Sequence, residues 1–148
     1  MKKFPNYIQT DSKDCGPTCL KITAKYYGKT LNIQKLRNYS ETTRDGSNLL
    51  MLSDASEKIG FRTLGVKRSM LQLTEVPLPC ILHWNKAHYV VLYRIKKRIY
   101  YISDPAIGLL EYNERDFLKF WIGNNADATT EEGIALLLEP TPKFHESE

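Results

Sequence analysis

Gln9-Thr-Asp-Ser-Lys-Asp14-Cys15-Gly16-Pro17-Thr-Cys19-Leu20 is the stretch on which the reading of this chain turns. Proline is favoured at the first position of a helix, so Gly16-Pro17 predicts a helix opening here, with the Cys15 thiol at its N-terminus. Unpaired N–H groups and the positive end of the helix dipole favour a thiolate at such a place. Gln9, upstream, carries an amide donor suited to a developing oxyanion. A nucleophilic cysteine also needs a histidine, and the histidine needs a carboxylate or amide to orient it. The downstream chain offers His88, in His88-Tyr-Val-Val-Leu-Tyr93, and Asp104, in Tyr101-Ile-Ser-Asp104-Pro105.

Around that stretch the chain first reads as helical. Residues 4–14 form an extended arm carrying Gln9. Pro17 to Tyr27 is a helix with Leu20, Ala24 and Tyr27 on one face and Gly28 to end it. Ile33 to Tyr39 is a shorter one. After an Arg44-Asp45-Gly46 turn, Ser47 caps a third helix that runs to Ile59 and is closed by Gly60. Leu49, Leu52, Ala55 and Ile59 belong to its core face, which leaves Leu50 and Met51 as a candidate exposed apolar patch.

From Phe61 the pattern turns to strands. Phe61 to Val66 is a strand, Ser69 to Leu73 a turn of helix, and Pro77-Leu78-Pro79 leads into the strand Cys80 to Trp84. Asn85-Lys86 turns the chain into Tyr89 to Ile95, and Lys96 to Arg98 turns it back into Ile99 to Ser103. Leu109 to Tyr112, a helix from Glu114 to Trp121 capped by Asn113, and a last strand from Gly133 to Leu138 complete the order. Helices followed by a run of antiparallel strands make an α+β fold, N-terminal helices packed on an antiparallel sheet. In an antiparallel pair the start of one strand lies beside the end of the next, so His88 and Asp104 are expected to meet. A carboxylate there fixes the imidazole tautomer and favours its charged form.

The 148 residues suffice for one domain with a hydrophobic core. The net charge of +4 is spread over short clusters such as Lys2-Lys3, Lys67-Arg68 and Lys96-Lys97-Arg98. Nothing resembles a zinc finger, a helix-turn-helix or an aromatic RNA-binding sheet, so no nucleic-acid partner is expected. Three cysteines, Cys15, Cys19 and Cys80, lack the density of a disulfide scaffold and fit a reducing compartment. No secretory signal and no run of ~18 apolar residues is present, so a soluble, cytosolic chain is expected. The domain is expected to occupy residues 1–138. The polar, proline-interrupted residues 139–148 read as a linker.

Gln9, Asp14-Cys15-Gly16-Pro17, His88-Tyr89-Val90-Val91-Leu92 and Asp104-Pro105 with Gly108 resemble the motifs of the C39 peptidase domain, the N-terminal part of peptidase-containing ABC transporters that export bacteriocins and other leader-bearing peptides. The likeness runs from Gln9 to about Leu138. It implies a papain-like cysteine protease fold and an endopeptidase that removes a precursor's leader after a double-glycine motif, on the cytoplasmic face of the bacterial plasma membrane, coupled to export. Carried over, Cys15 is the nucleophile, His88 the general base and then acid, Asp104 the orienting group and Gln9 an oxyanion donor beside the Cys15 N–H. The implied partners are a leader peptide with a Gly-Gly motif and the transmembrane and nucleotide-binding domains of a transporter, to which residues 139–148 would lead. Leader binding in a shallow apolar groove is placed at Leu50 and Met51, with Trp84 and Asn85 near the cleft. No cofactor and no metal are expected.

Other readings of the same residues stay open. Some relatives keep the fold, lose the cysteine and only dock an export substrate. Cys15-x3-Cys19 and His83-x4-His88 have spacings found among zinc ligands, although Cys19 is better read as helix core. The same thiol–imidazole chemistry also serves a transferase, because an amine resolves an acyl-enzyme as water does.

Overall fold

The computed structural model describes residues 3–40 and 48–146. The expected Arg44-Asp45-Gly46 turn and Ser47 cap lie outside the described residues. After an extended arm and a short 3-10 turn, Ser12–Asp14, three helices follow: α1 Cys15–Tyr26, α2 Ile33–Tyr39 and α3 Leu49–Ile59. The rest alternates strands and short helices: β1 Phe61–Arg68, α4 Met70–Leu73, β2 Cys80–Trp84, β3 His88–Lys96, β4 Ile99–Asp104, β5 Gly108–Asn113, α5 Glu114–Trp121, β6 Gly133–Pro140 and α6 Pro142–Glu146.

Local chemistry explains the boundaries. The Asn32, Asn48 and Asn113 side chains each accept from N–H groups in the first turn of the helix they precede. Ser69 and Gln72 form a reciprocal capping box on α4. Gly60 ends α3 in the left-handed region at φ +117°. Lys97 and Arg98, both at positive φ, make the two-residue turn between β3 and β4.

The strands form one antiparallel sheet in the order β1-β6-β2-β3-β4-β5. The predicted meander is β2 to β5; β6 returns to lie between β1 and β2. The sheet is covered on both faces. One apolar cluster joins α1, α2 and α3 to Phe61, Ile81, Tyr89, Val91, Leu136 and Leu138. The other joins α4 and α5 to Leu82, Trp84, Val90, Leu92, Tyr100 and Ile102. The first cluster carries Cys15.

Two sequence expectations need correction. The helix starts at Cys15 itself, so Pro17 is its third residue; its missing N–H is one that would have no helical partner anyway. Residues 139–148 are not a linker as far as they are described. Glu139 and Pro140 extend β6, and α6 plugs Phe144, 1% exposed, against Phe61 and Tyr27, with ring centroids 4.7 and 6.4 Å away. The Thr141 N–H donates to the Gly60 carbonyl at 2.9 Å and fixes the approach. Pro140 and Pro142 signal a break in the sequence; one aromatic side chain outweighs them.

Candidate active site

Cys15 is the first residue of α1, which packs on β3, and its side chain is 7% exposed. Close packing fixes that end of the helix. A Cβ on Gly16 would lie 2.7 Å from Leu52 Cδ2 of α3, so glycine lets the two helices meet behind the thiol.

His88 opens β3 directly after the Asn85-Lys86-Ala87 turn, opposite Trp84 of β2. Asp104 ends the neighbouring strand, as antiparallel geometry requires. His88 Nε2 lies 2.7 Å from Asp104 Oδ1, with the two side chains 23% and 3% exposed. The same oxygen accepts the Ala106 N–H at 2.8 Å, so the carboxylate is held by the turn that follows it. An ionised carboxylate only accepts, so Nε2 carries a proton and Nδ1 is the nitrogen left to exchange one.

Burial is the largest influence on the ring and pulls its pKa down. The ring's hydrogen bond to Asp104 and its interaction with Cys15, then the charges of both, outweigh it and raise the pKa from 6.5 to about 9. Cys15 thus lies close enough to the imidazole to act on its charge. Tyr89, next in β3, has its hydroxyl pushed up to about 12 by burial, with Cys15 and Cys19 adding to the effect.

The extended arm completes one wall. Asn6 Nδ2 donates to Ser103 Oγ at 3.0 Å and to the Asp104 carbonyl at 3.2 Å, Ser103 Oγ donates to the Pro5 carbonyl at 2.8 Å, and the Gln9 N–H donates to the Pro105 carbonyl at 2.7 Å. Gln9 is therefore anchored beside the Asp104 turn. Its Nε2 donates to the Asp11 carbonyl at 3.0 Å, which leaves a second amide hydrogen, while its Oε1 is buried without a partner.

Sequence reading missed what Asp14 and Arg37 do. Asp14 is fully buried immediately before Cys15, and Arg37 Nε of α2 reaches its two oxygens at 3.0 and 3.1 Å. The signal available was the acidic residue beside the thiol, since a buried carboxylate needs a cation; nothing local names which cation.

The other sequence candidates separate. Trp84 is core: 4% exposed, its ring packs on Tyr112, Phe117 and Phe120, in the cluster that does not contain Cys15. Trp84 is the direct cross-strand partner of His88, yet Phe117 and Phe120 of α5 cover its indole, so that pairing does not bring it to Cys15. Asn85 is exposed, adopts φ +48° and donates its N–H to the Phe120 carbonyl at 2.7 Å, so it shapes the turn before His88. Leu50 is 70% exposed and Met51 half-buried on α3. Cys19 is wholly buried, with its thiol pKa raised by that burial first and by Cys15 and Asp104 next. Burial pushes Cys80 up to about 12. Among the described residues no group of three or more His, Cys, Asp or Glu side chains is placed to hold a metal ion.

The model of the peptidase C39 family matches residues 3–132. The chain belongs to the peptidase C39 family. This family membership makes it a cysteine peptidase with a papain-like α+β fold. It is 35% identical over 149 residues to the lactococcin-G-processing and transport ATP-binding protein LagD of Lactococcus lactis subsp. lactis, covering 97% of this chain and 19% of that protein. It is 28% identical to the colicin V secretion/processing ATP-binding protein CvaB of Escherichia coli, over 82% of this chain and 18% of CvaB. This C39 chain thus spans about a fifth of the length of the curated relatives it matches.

Two solved structures are similar throughout. One is a double glycine motif protease from an AMS/PCAT transporter in complex with the leader peptide, with TM-score 0.83 and 32% identity over 94% of this chain and 93% of that one. The other is the peptidase domain of Streptococcus ComA, a bi-functional ABC transporter involved in a quorum sensing pathway, with TM-score 0.81 and 28% identity over 94% and 100%. Among the described residues of this C39 chain, no helix is long and apolar enough to cross a membrane.

Proposed function

We propose that this C39 peptidase hydrolyses a peptide bond through Cys15, His88 and Asp104, with Gln9 as oxyanion donor. The observation that carries the reading is the 2.7 Å bond between His88 Nε2 and Asp104 Oδ1, with Cys15 close enough to the ring to act on its charge. With His88 charged and its Nδ1 holding the proton exchanged with the thiol, the Cys15 sulfur attacks the carbonyl carbon before the cut. The carbonyl oxygen takes up the negative charge and meets the Cys15 N–H and the second Gln9 amide hydrogen. As the tetrahedral intermediate collapses, the C–N bond breaks and the imidazolium gives its proton to the departing amine. A water molecule, deprotonated by His88, then attacks the thioester, releasing a carboxylic acid and regenerating the thiol.

The substrate class we propose is a precursor peptide cut after a double glycine, the released part being the cargo of an ABC transporter to which this domain belongs. The similar protease solved with a leader peptide and the processing-and-transport relatives support it. So does Leu50, an exposed apolar anchor of the kind a leader helix needs, with Met51 beside it on α3. Action at the cytoplasmic face of the plasma membrane follows from that assignment, since a leader is removed before export.

Cys15→Ala is expected to abolish cleavage of a synthetic Gly-Gly precursor, followed by product mass, while leader binding by calorimetry persists. Undiminished cleavage by that variant would reject the assignment. A product mass carrying an added amine in place of water would point to transfer. Leu50→Asp is expected to weaken leader binding about tenfold with little change in Cys15 alkylation.

A further inference from the structure

An aspartate at the residue preceding a helix ordinarily turns its carboxylate onto the N–H groups of the first turn. Asp14 holds that position on α1 and makes no such bond. Its oxygens are occupied from elsewhere: Oδ1 accepts from Arg37 Nε at 3.0 Å, and Oδ2 from Nε at 3.1 Å and from Nη2 at 2.5 Å. Asp14 is fully buried and the Arg37 side chain, 27% exposed, reaches in from the rim to meet it. Arg37 also reaches Thr10 Oγ1 at 3.3 Å and Gln34 Oε1 at 3.0 Å, tying the segment between Gln9 and Cys15 to α2.

The groups facing Cys15 make the placement consequential. His88 and Tyr89 come from β3, Cys19 from the next turn of α1, and Asp104 acts from β4 through His88. On the α3 side Leu52 packs against Gly16. An unpaired carboxylate next to the thiol would disfavour a thiolate by like charge, and one free to turn would occupy the helix N–H groups.

We propose that Arg37 is a positioning residue of the peptidase: its fork holds the Asp14 carboxylate off the N-terminus of α1 and cancels its charge, leaving that end of the helix to the Cys15 sulfur. The inference rests on Cys15 being the nucleophile. It predicts a sign that a simple structural prop does not. Removing the cation alone harms the thiolate; removing both charges restores it.

The test is the rate of Cys15 alkylation by iodoacetamide from pH 5 to 10, mapped by peptide mass, in wild type, Arg37→Gln, Asp14→Asn and the double variant, with folding followed by circular dichroism. Arg37→Gln is expected to slow alkylation at pH 7 by about tenfold and move the profile to higher pH. Asp14→Asn is expected to be no slower than wild type, and the double variant to return to within about threefold of it. If Arg37→Gln does not fold, the folded double variant decides: a wild-type profile supports the inference. A folded Arg37→Gln with an unchanged profile, or a double variant at least as slow as Arg37→Gln, overturns it. A wild-type Cys15 no faster than a free model thiol would overturn the peptidase reading as well.

Discussion

Two opposed influences meet on the His88 ring. Burial favours the neutral imidazole, and the bond to Asp104 together with the influence of Cys15 favours the charged one strongly enough to carry the pKa from 6.5 to about 9. Because the folded value lies above the ordinary one, the stability contributed by the charged ring is fully present below pH 6.5 and is lost as pH rises through about 9. Under the proposed mechanism the leaving amine takes its proton from that ring, so catalysis shares the limit. Cleavage measured as kcat/KM against pH is expected to fall along an alkaline limb near 9. Asp104→Asn keeps an acceptor and removes the charge, so the limb is expected to move toward neutral pH, with activity reduced about tenfold or more. At this scale the sequence was readable where function left a local mark. Cys15 stands before Gly16-Pro17, and His88 and Asp104 each stand at a strand end beside a turn. The Arg37–Asp14 pair was not readable, because its partners lie 23 residues apart and no spacing rule links them.

Helix α1 aims the thiol only because it is wedged between α3 and the sheet. The wedge depends on Gly16, where a methyl group would sit 2.7 Å from Leu52 Cδ2. Gly16→Ala is therefore expected to destabilise the protein by about 1–3 kcal/mol, read as a lower denaturation midpoint. Leu52→Ala should relieve the overlap, so the double variant is expected to lose less than the sum of the two single variants. Periodicity and capping signals located most elements. The alternation of β2 was the exception in effect: Trp84 satisfies a strand pattern equally well on either face, and only the packing of α5 assigns it to the cluster away from Cys15. The order of the sheet was equally silent, since nothing in Gly133 to Leu138 states that β6 pairs between β1 and β2.

Across the whole molecule, the last described helix closes the first cluster over Phe61. Phe144→Ala is expected to cost about 3–5 kcal/mol, visible as a lower Tm. Ending the chain after Pro140 should do the same, whereas a true linker would come away without effect. The polar composition of residues 139–148 concealed this, because one buried aromatic side chain among charged neighbours leaves no periodic trace.

The bonds from Asn6 to Ser103 and from Gln9 to Pro105 also set an order of events. They join the beginning of the chain to residues nearly a hundred positions later, contacts that a ribosome-bound chain is unable to make until β4 has emerged. During synthesis the Cys15 thiol thus emerges long before His88 and Asp104 exist, and the proposed triad is assembled only in the closed globule.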